Sequence, residues 1–259
     1  MLRAFRSEWI KLRRRSVLVG GLSMTVLAGV GVAFGIVRVA SGHSREAILE
    51  LLVLRTSDGL AAALIRVSNF IVVIPLVIVA AAVAGEYGQG TLRNLLVREP
   101  GRLRLLFGKF AALLVYCLLA ATLALGVATV VALFVAAHEG IDTSPWTTPD
   151  ALHNLLSLWG NLLISTAAWC VLGLLGATVF RSPTLAVGVS LVFLLVVENL
   201  VMAIWTEAPQ WLFVSLNQSI IAGGNGTSDY GRAVGLIGLY CACAAVVVSV
   251  IFRRRDVSA

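Results

Sequence analysis

Chemistry needs reactive side chains at workable spacings, and this chain holds few. Its cysteines, Cys117, Cys170, Cys241 and Cys243, all fall inside apolar runs. The Cys241-x-Cys243 pair lacks zinc-ligand spacing and has no histidine near it in sequence, so the thiols read as small buried hydrophobes. His43, His138 and His153 are scattered over polar segments, and no metal cluster is visible. One carboxyl stands out: Glu198, followed by Asn199, inside LVFLLVVENLVM. A membrane-embedded acid is costly and therefore a functional candidate. It either contacts substrate or another helix in a translocation path, or sits near an outer interface, hydrogen-bonded to a neighbouring helix. No second catalytic group accompanies it, which argues against an intramembrane enzyme. The remaining unusual stretch is EYGQGTLRNLLVREPGR, residues 86–102, polar and glycine-rich between long apolar runs.

The elements that position these residues follow from composition. Of 259 residues, 59% are hydrophobic and 13% charged. Soluble domains carry about a quarter charged residues, so the solvent for this chain is a bilayer. A helix needs about 20 mainly apolar residues to span one. Six windows qualify, near residues 17–37, 67–85 (opening at or before 67), 110–137, 155–180, 182–205 and 233–252. They are continuous and do not alternate, which selects helices over a barrel. The fold expected is all-α and integral to the membrane. Pro75 should bend the second span. Gly173, Gly176 and Ala177 offer small surfaces for packing in the fourth. The first apolar run continues for a full span with no A-x-A-like site, so a cleaved signal peptide is not expected.

The formal charge of +7 comes almost entirely from arginine. The basic residues form no groove-sized patch, which argues against nucleic acid. Fifteen of the 20 fall before span one, between spans two and three, between spans four and five, or after span six. The positive-inside rule makes that side cytoplasmic, with both termini inside. On the other side, Arg38 and Arg66 read as snorkelling side chains and Trp146, Trp205 and Trp211 as an aromatic belt. Ile48, Leu51, Leu52 and Arg55 predict a short amphipathic helix there. The segment 205–232 is open to a re-entrant reading.

Two segments carry recognition. In LRAFRSEWIKLRRR, Leu2, Phe5, Trp9 and Leu12 share one helical face, with Lys11 and the arginines mostly elsewhere. Residues 1–16 should form a helix lying in the interface against membrane lipid. In the loop, Gly88 and Gly90 favour a break, Thr91 can cap a helix from Leu92 to about Arg98 with Leu95 and Leu96 on one face, and Pro100-Gly101 ends it. A second helix then begins near Arg102 and runs through Lys109. A short helix held across the membrane surface by two spans suits insertion into a partner's groove.

EYGQGTLRNLLVREPGRLRLLFGK resembles the loop of type-2 ABC (ATP-binding cassette) exporter permeases, in which an acid is followed by Gly-Thr, leucines, Pro, Arg and Gly-Lys. Here these are Glu86, Gly90, Thr91, Leu95, Leu96, Pro100, Arg102, Gly108 and Lys109. SEWIKLRRRS is similar to the family's Glu-x-x-Lys-Leu opening, at Glu8, Lys11 and Leu12. The resemblance implies an elbow helix at 1–16, a six-helix permease domain at 17–252 with a coupling loop at about 86–109, and a cytoplasmic basic tail at 253–259. It implies a permease in the plasma membrane, paired with another permease or a second copy, docked on a separate nucleotide-binding ATPase subunit. The chain has no G-x-x-x-x-G-K-[ST] motif, because position 103 is Leu and Phe110 follows Lys109. ATP and magnesium would therefore belong to the partner, and this chain would carry no cofactor. Two other readings stand beside this one: an ion-coupled secondary transporter using Glu198, weakened by the lack of inverted repeats, and a non-transporting membrane anchor.

Overall fold

The computed structural model describes residues 15–42, 44–88, 102–224 and 228–254. Six helices are long and apolar enough to cross a membrane: Val19–Ser41, Gly59–Glu86, Leu105–His138, Pro149–Phe180, Pro183–Ile204 and Tyr230–Arg253. No strand occurs among the described residues. All six expected windows are present, and the second begins eight residues earlier than the apolar run near residue 67 implied.

The first span is α1 (Arg15–Ser41). The amphipathic helix expected after it is α2 (Arg45–Leu54), opened by Ser44, whose hydroxyl accepts the Ala47 N–H at 3.2 Å. The second span is two helices, α3 (Gly59–Ile71) and α4 (Val73–Gly88). The break at Val72 lies where Pro75 requires it. Proline has no N–H to give the Ile71 carbonyl, and its ring crowds that oxygen. The third span, α5 (Arg102–His138), is continuous. The fourth, α6 (Pro149–Phe180), is capped by Thr148, which accepts the Ala151 N–H at 3.3 Å, with proline at its first position. Arg181 then turns the chain in the left-handed region, φ 55°, directly into the fifth span.

Small residues set the packing. A Cβ on Gly173 would stand 2.6 Å from the Leu76 carbonyl oxygen, and one on Gly176 2.6 Å from Ser190 Oγ. Spans two and four therefore meet at backbone distance, as helices in lipid do when side chains permit. Asn154 Nδ2 donates to Asp58 Oδ1 at 2.7 Å, which fixes the parallel register of the same pair at their other end. Trp146 belongs to this junction and not to an aromatic belt. It is buried, and its indole N–H donates to the Leu54 carbonyl at 2.8 Å. Arg66 likewise does not snorkel alone: it pairs with Glu50 of α2 at 2.7 Å. Of the cysteines, Cys117 and Cys170 are buried as expected, whereas Cys243 is exposed on the last span.

Candidate functional site

The polar loop is anchored at a neck. Glu86, near the end of α4, and Lys109, two turns into α5, form an ion pair at 2.5 Å. Both side chains are largely shielded, at 17% and 9% exposed. Beneath them, Val79, Val83 and Ala84 of α4 share one apolar cluster with Leu106 and Leu113 of α5. The two ends of the loop are therefore clasped together on a packed base. This pairs the first and last residues of the expected coupling set. Arg102 opens α5. Gly90, Thr91, Leu95, Leu96 and Pro100 lie outside the described residues, as do Phe5, Trp9, Lys11 and Leu12 of the N-terminal segment.

The second polar feature is built on span five. This span consists of α7 (Pro183–Val192), one turn of π-helix (Phe193–Val197) and α8 (Glu198–Ile204). A π turn holds one extra residue and rotates everything after it. Val196, Val197, Asn199 and Leu200 face outward, while Glu198 is 2% exposed. The structure thus separates the two residues that sequence places together. Asn199 stays on the outer surface, and its amide donates to the Leu195 carbonyl of its own helix at 2.6 Å.

Glu198 points at the start of α9 (Phe213–Ile221). Its Oε2 accepts the Val214 N–H at 2.9 Å, and the Phe213 N–H also bonds to the carboxyl. The first N–H groups of a helix have no partner within it, and the N-cap residue Leu212 supplies none. A negative group there also meets the positive end of the helix dipole. An acid from one helix thus caps another that follows it in the chain.

The α9 helix packs into the helix bundle. Its first residue packs edge-on against Trp169 of α6, ring centroids 5.3 Å apart, well inside the fourth span. Phe213, Leu216, Ile220 and Ile221 are buried. The chain leaves through Gly223 and Gly224, at φ 70° and 90°, where a side chain on Gly224 would strike Tyr230. Tyr230, at the start of α10 (Tyr230–Arg254), donates its hydroxyl to Asn161 Oδ1 at 2.7 Å. Beside this helix lies a cavity of about 550 Å³ lined by Gly176, Val179, Phe193, Trp211 and Tyr240, with Glu198 on its wall. Its size suits a small amphiphile. Its lining is mainly apolar and holds one carboxyl, Glu198, with Ser190 and Tyr240 as its hydroxyl-bearing residues. Among the described residues no three His, Cys, Asp or Glu side chains group to hold a metal ion.

The pattern missed from sequence is the set of uncharged polar residues inside spans two and four and in α9. Asn161, Ser165 and Trp169 recur every fourth residue, a signal available to helical spacing but carried by no charge.

No curated protein matches the chain. A model of the family described as ABC-2 family transporter protein matches residues 4–197, three-quarters of the length, including the loop and its clasp and ending one residue before Glu198. With six membrane-spanning helices and this match, the chain is a multi-pass membrane protein that belongs to the ABC-2 transporter family.

Proposed function

We propose that this chain is the permease subunit of an ATP-driven exporter, and that residues 86–109 dock a separate nucleotide-binding subunit. The observation that carries this is the Glu86–Lys109 clasp. A loop tied at its neck to two packed spans moves those spans when it is moved. A loose loop would absorb the same displacement. ATP and magnesium would be bound by the partner, and two permeases would assemble around one path. The charge bias supports a cytoplasmic placement of the loop and both termini in a plasma membrane, since 15 of the 20 basic residues fall on that side.

The test is affinity purification of the full chain from gently solubilised native membrane. Wild type is expected to bring down an ATPase, and Glu86→Ala with Arg102→Ala to lose it or to abolish its stimulation. Intact chain that purifies without any nucleotide-binding protein defeats the proposal.

A further inference from the structure

Serine and threonine in membrane helices usually return their hydroxyls to the preceding turn. Several here do: Thr25 bonds the Gly21 carbonyl, Thr122 that of Leu118, Thr129 that of Leu125 and Ser249 that of Ala245, all at 2.7–3.0 Å. Seven other buried polar atoms break the pattern; one, Ser228 Oγ, precedes α10, and the other six lie on three helices. Ser68 Oγ and Asn69 Oδ1 of α3, Ser165 Oγ, Thr166 Oγ1 and Trp169 Nε1 of α6, and Asn217 Oδ1 of α9 have no hydrogen-bond partner among the described residues.

These atoms are not scattered. The Asp58–Asn154 bond and the contact of Leu76 with Gly173 set the register of span two against α6. That register places Ser68 and Asn69 level with Ser165 and Thr166. Phe213 of α9 lies against Trp169 of α6, and Gly223 lies next to Asn161. The helices α9 and α6 are therefore antiparallel, with Asn217 level with Ser165. Helices α3, α6 and α9 pack on one another pairwise. The six groups thus form one layer across the bundle, within about two turns of helix rise.

We infer that this layer binds internal water, which bridges α3, α6 and α9 inside the membrane domain. Each unpartnered buried polar group has given up its bonds to water without replacement, which destabilises the fold. Groups that stand level on three packed helices without bonding one another can be satisfied by a molecule that bridges them. The chemistry selects water over a metal cation. The Trp169 indole can only donate, the asparagine oxygens can only accept, and the hydroxyls do both. A cation would be repelled by the indole N–H, whereas water satisfies the mixture with two to four bonds per molecule. The consequence is mechanical: α9 is fastened to α6 through exchangeable bridges, and the layer lets it shift without breaking direct side-chain bonds.

The experiment uses the full chain in lipid nanodiscs, with indole nitrogens labelled and the Trp169 signal assigned by its loss in Trp169→Phe. Magnetisation transfer from water to the Trp169 indole proton is expected. Its absence, with the signal present, overturns the inference. A signal that shifts when sodium replaces potassium also overturns it, since a cation then occupies the layer. Thermal unfolding of Thr166→Val and Ser165→Ala gives a second reading that needs no assignment. A watered layer loses bonds, and Tm falls by about 2 °C or more. A dry layer loses a penalty, and a Tm that rises in both variants overturns the inference. None of these readouts involves an ATPase, so the result is independent of the proposed function.

Discussion

Spans two and four differ from spans five and six in a way hydropathy does not register. All four are long and strongly apolar. Yet 61% of the best window is buried inside the subunit for spans two and four, against 11% for span five and 17% for span six. In water an apolar face must find protein. In a bilayer, lipid serves as well, and what draws helices together is close packing and polar contact. Spans two and four have both, through Gly173 on the Leu76 backbone and Asn154 on Asp58. Span five touches the rest of the subunit through α4, α6 and the Glu198 contact with α9, and span six chiefly through α6 and α9.

Substitutions at glycine give the largest test of that contrast. Gly173→Leu drives a side chain into the Leu76 backbone, which cannot yield as a flexible side chain would, and should cost about 3 kcal/mol. Monodisperse protein on size-exclusion chromatography is expected to disappear. Gly238→Leu on span six meets nothing within 4 Å and should leave the profile unchanged. Equal damage from Gly238→Leu would break the comparison, because it would show that span six is covered by another protein chain.

A smaller effect is expected at the neck of the loop. Removing one partner of a well-shielded ion pair is destabilising by a few kcal/mol, less where water still reaches it. Glu86→Ala and Lys109→Ala are each expected to cost about 2 kcal/mol, and the double variant little more than either single. Additive losses in thermal unfolding would mean that the two residues act separately and the loop is not clasped.

Glu198→Ala removes the cap of α9, and caps are worth about 0.5–2 kcal/mol. Proteolysis between residues 205 and 212 should accelerate, while Glu198→Gln, whose amide oxygen still accepts, should lie near wild type. If the glutamine variant cleaves as fast as the alanine variant, the negative charge itself holds the helix.

The smallest effect belongs to Arg66 and Glu50, an exposed pair worth about 0.2–1 kcal/mol. The hydrogen bond from Arg66 holds the Glu50 carboxyl below its ordinary value. Its contribution is therefore complete above that value and disappears as pH falls through the depressed one. Wild type should unfold above Glu50→Gln at neutral pH, and the two should converge only in acid. A gap that persists in acid would assign the difference to packing.

Legibility followed the kind of signal. Bilayer solvent, six spans and the Pro75 break come from composition, length and the missing N–H of one proline, all local properties. Glu198 was visible as a charge in an apolar run, but its role was not. Its partner Val214 lies sixteen residues away in a segment whose glycines and aromatics mark no clear element. The π turn that aims it inward has no composition of its own. Trp146 and Arg66 sit where an interface is expected, and both turned out to be joints, Trp146 to Leu54 far back in the chain and Arg66 to Glu50 of the preceding helix.

What the sequence alone determined is the inventory of spans and the polar interruption between the second and third, because a bilayer imposes length and apolarity on every spanning helix whatever its neighbours. What only the tertiary structure decided is which spans are inside. That depends on whether a glycine faces a backbone or lipid, and on whether a serine, an asparagine or a glutamate meets another polar group across a helix interface. Those are properties of pairs, and pairing is fixed only when the helices have packed.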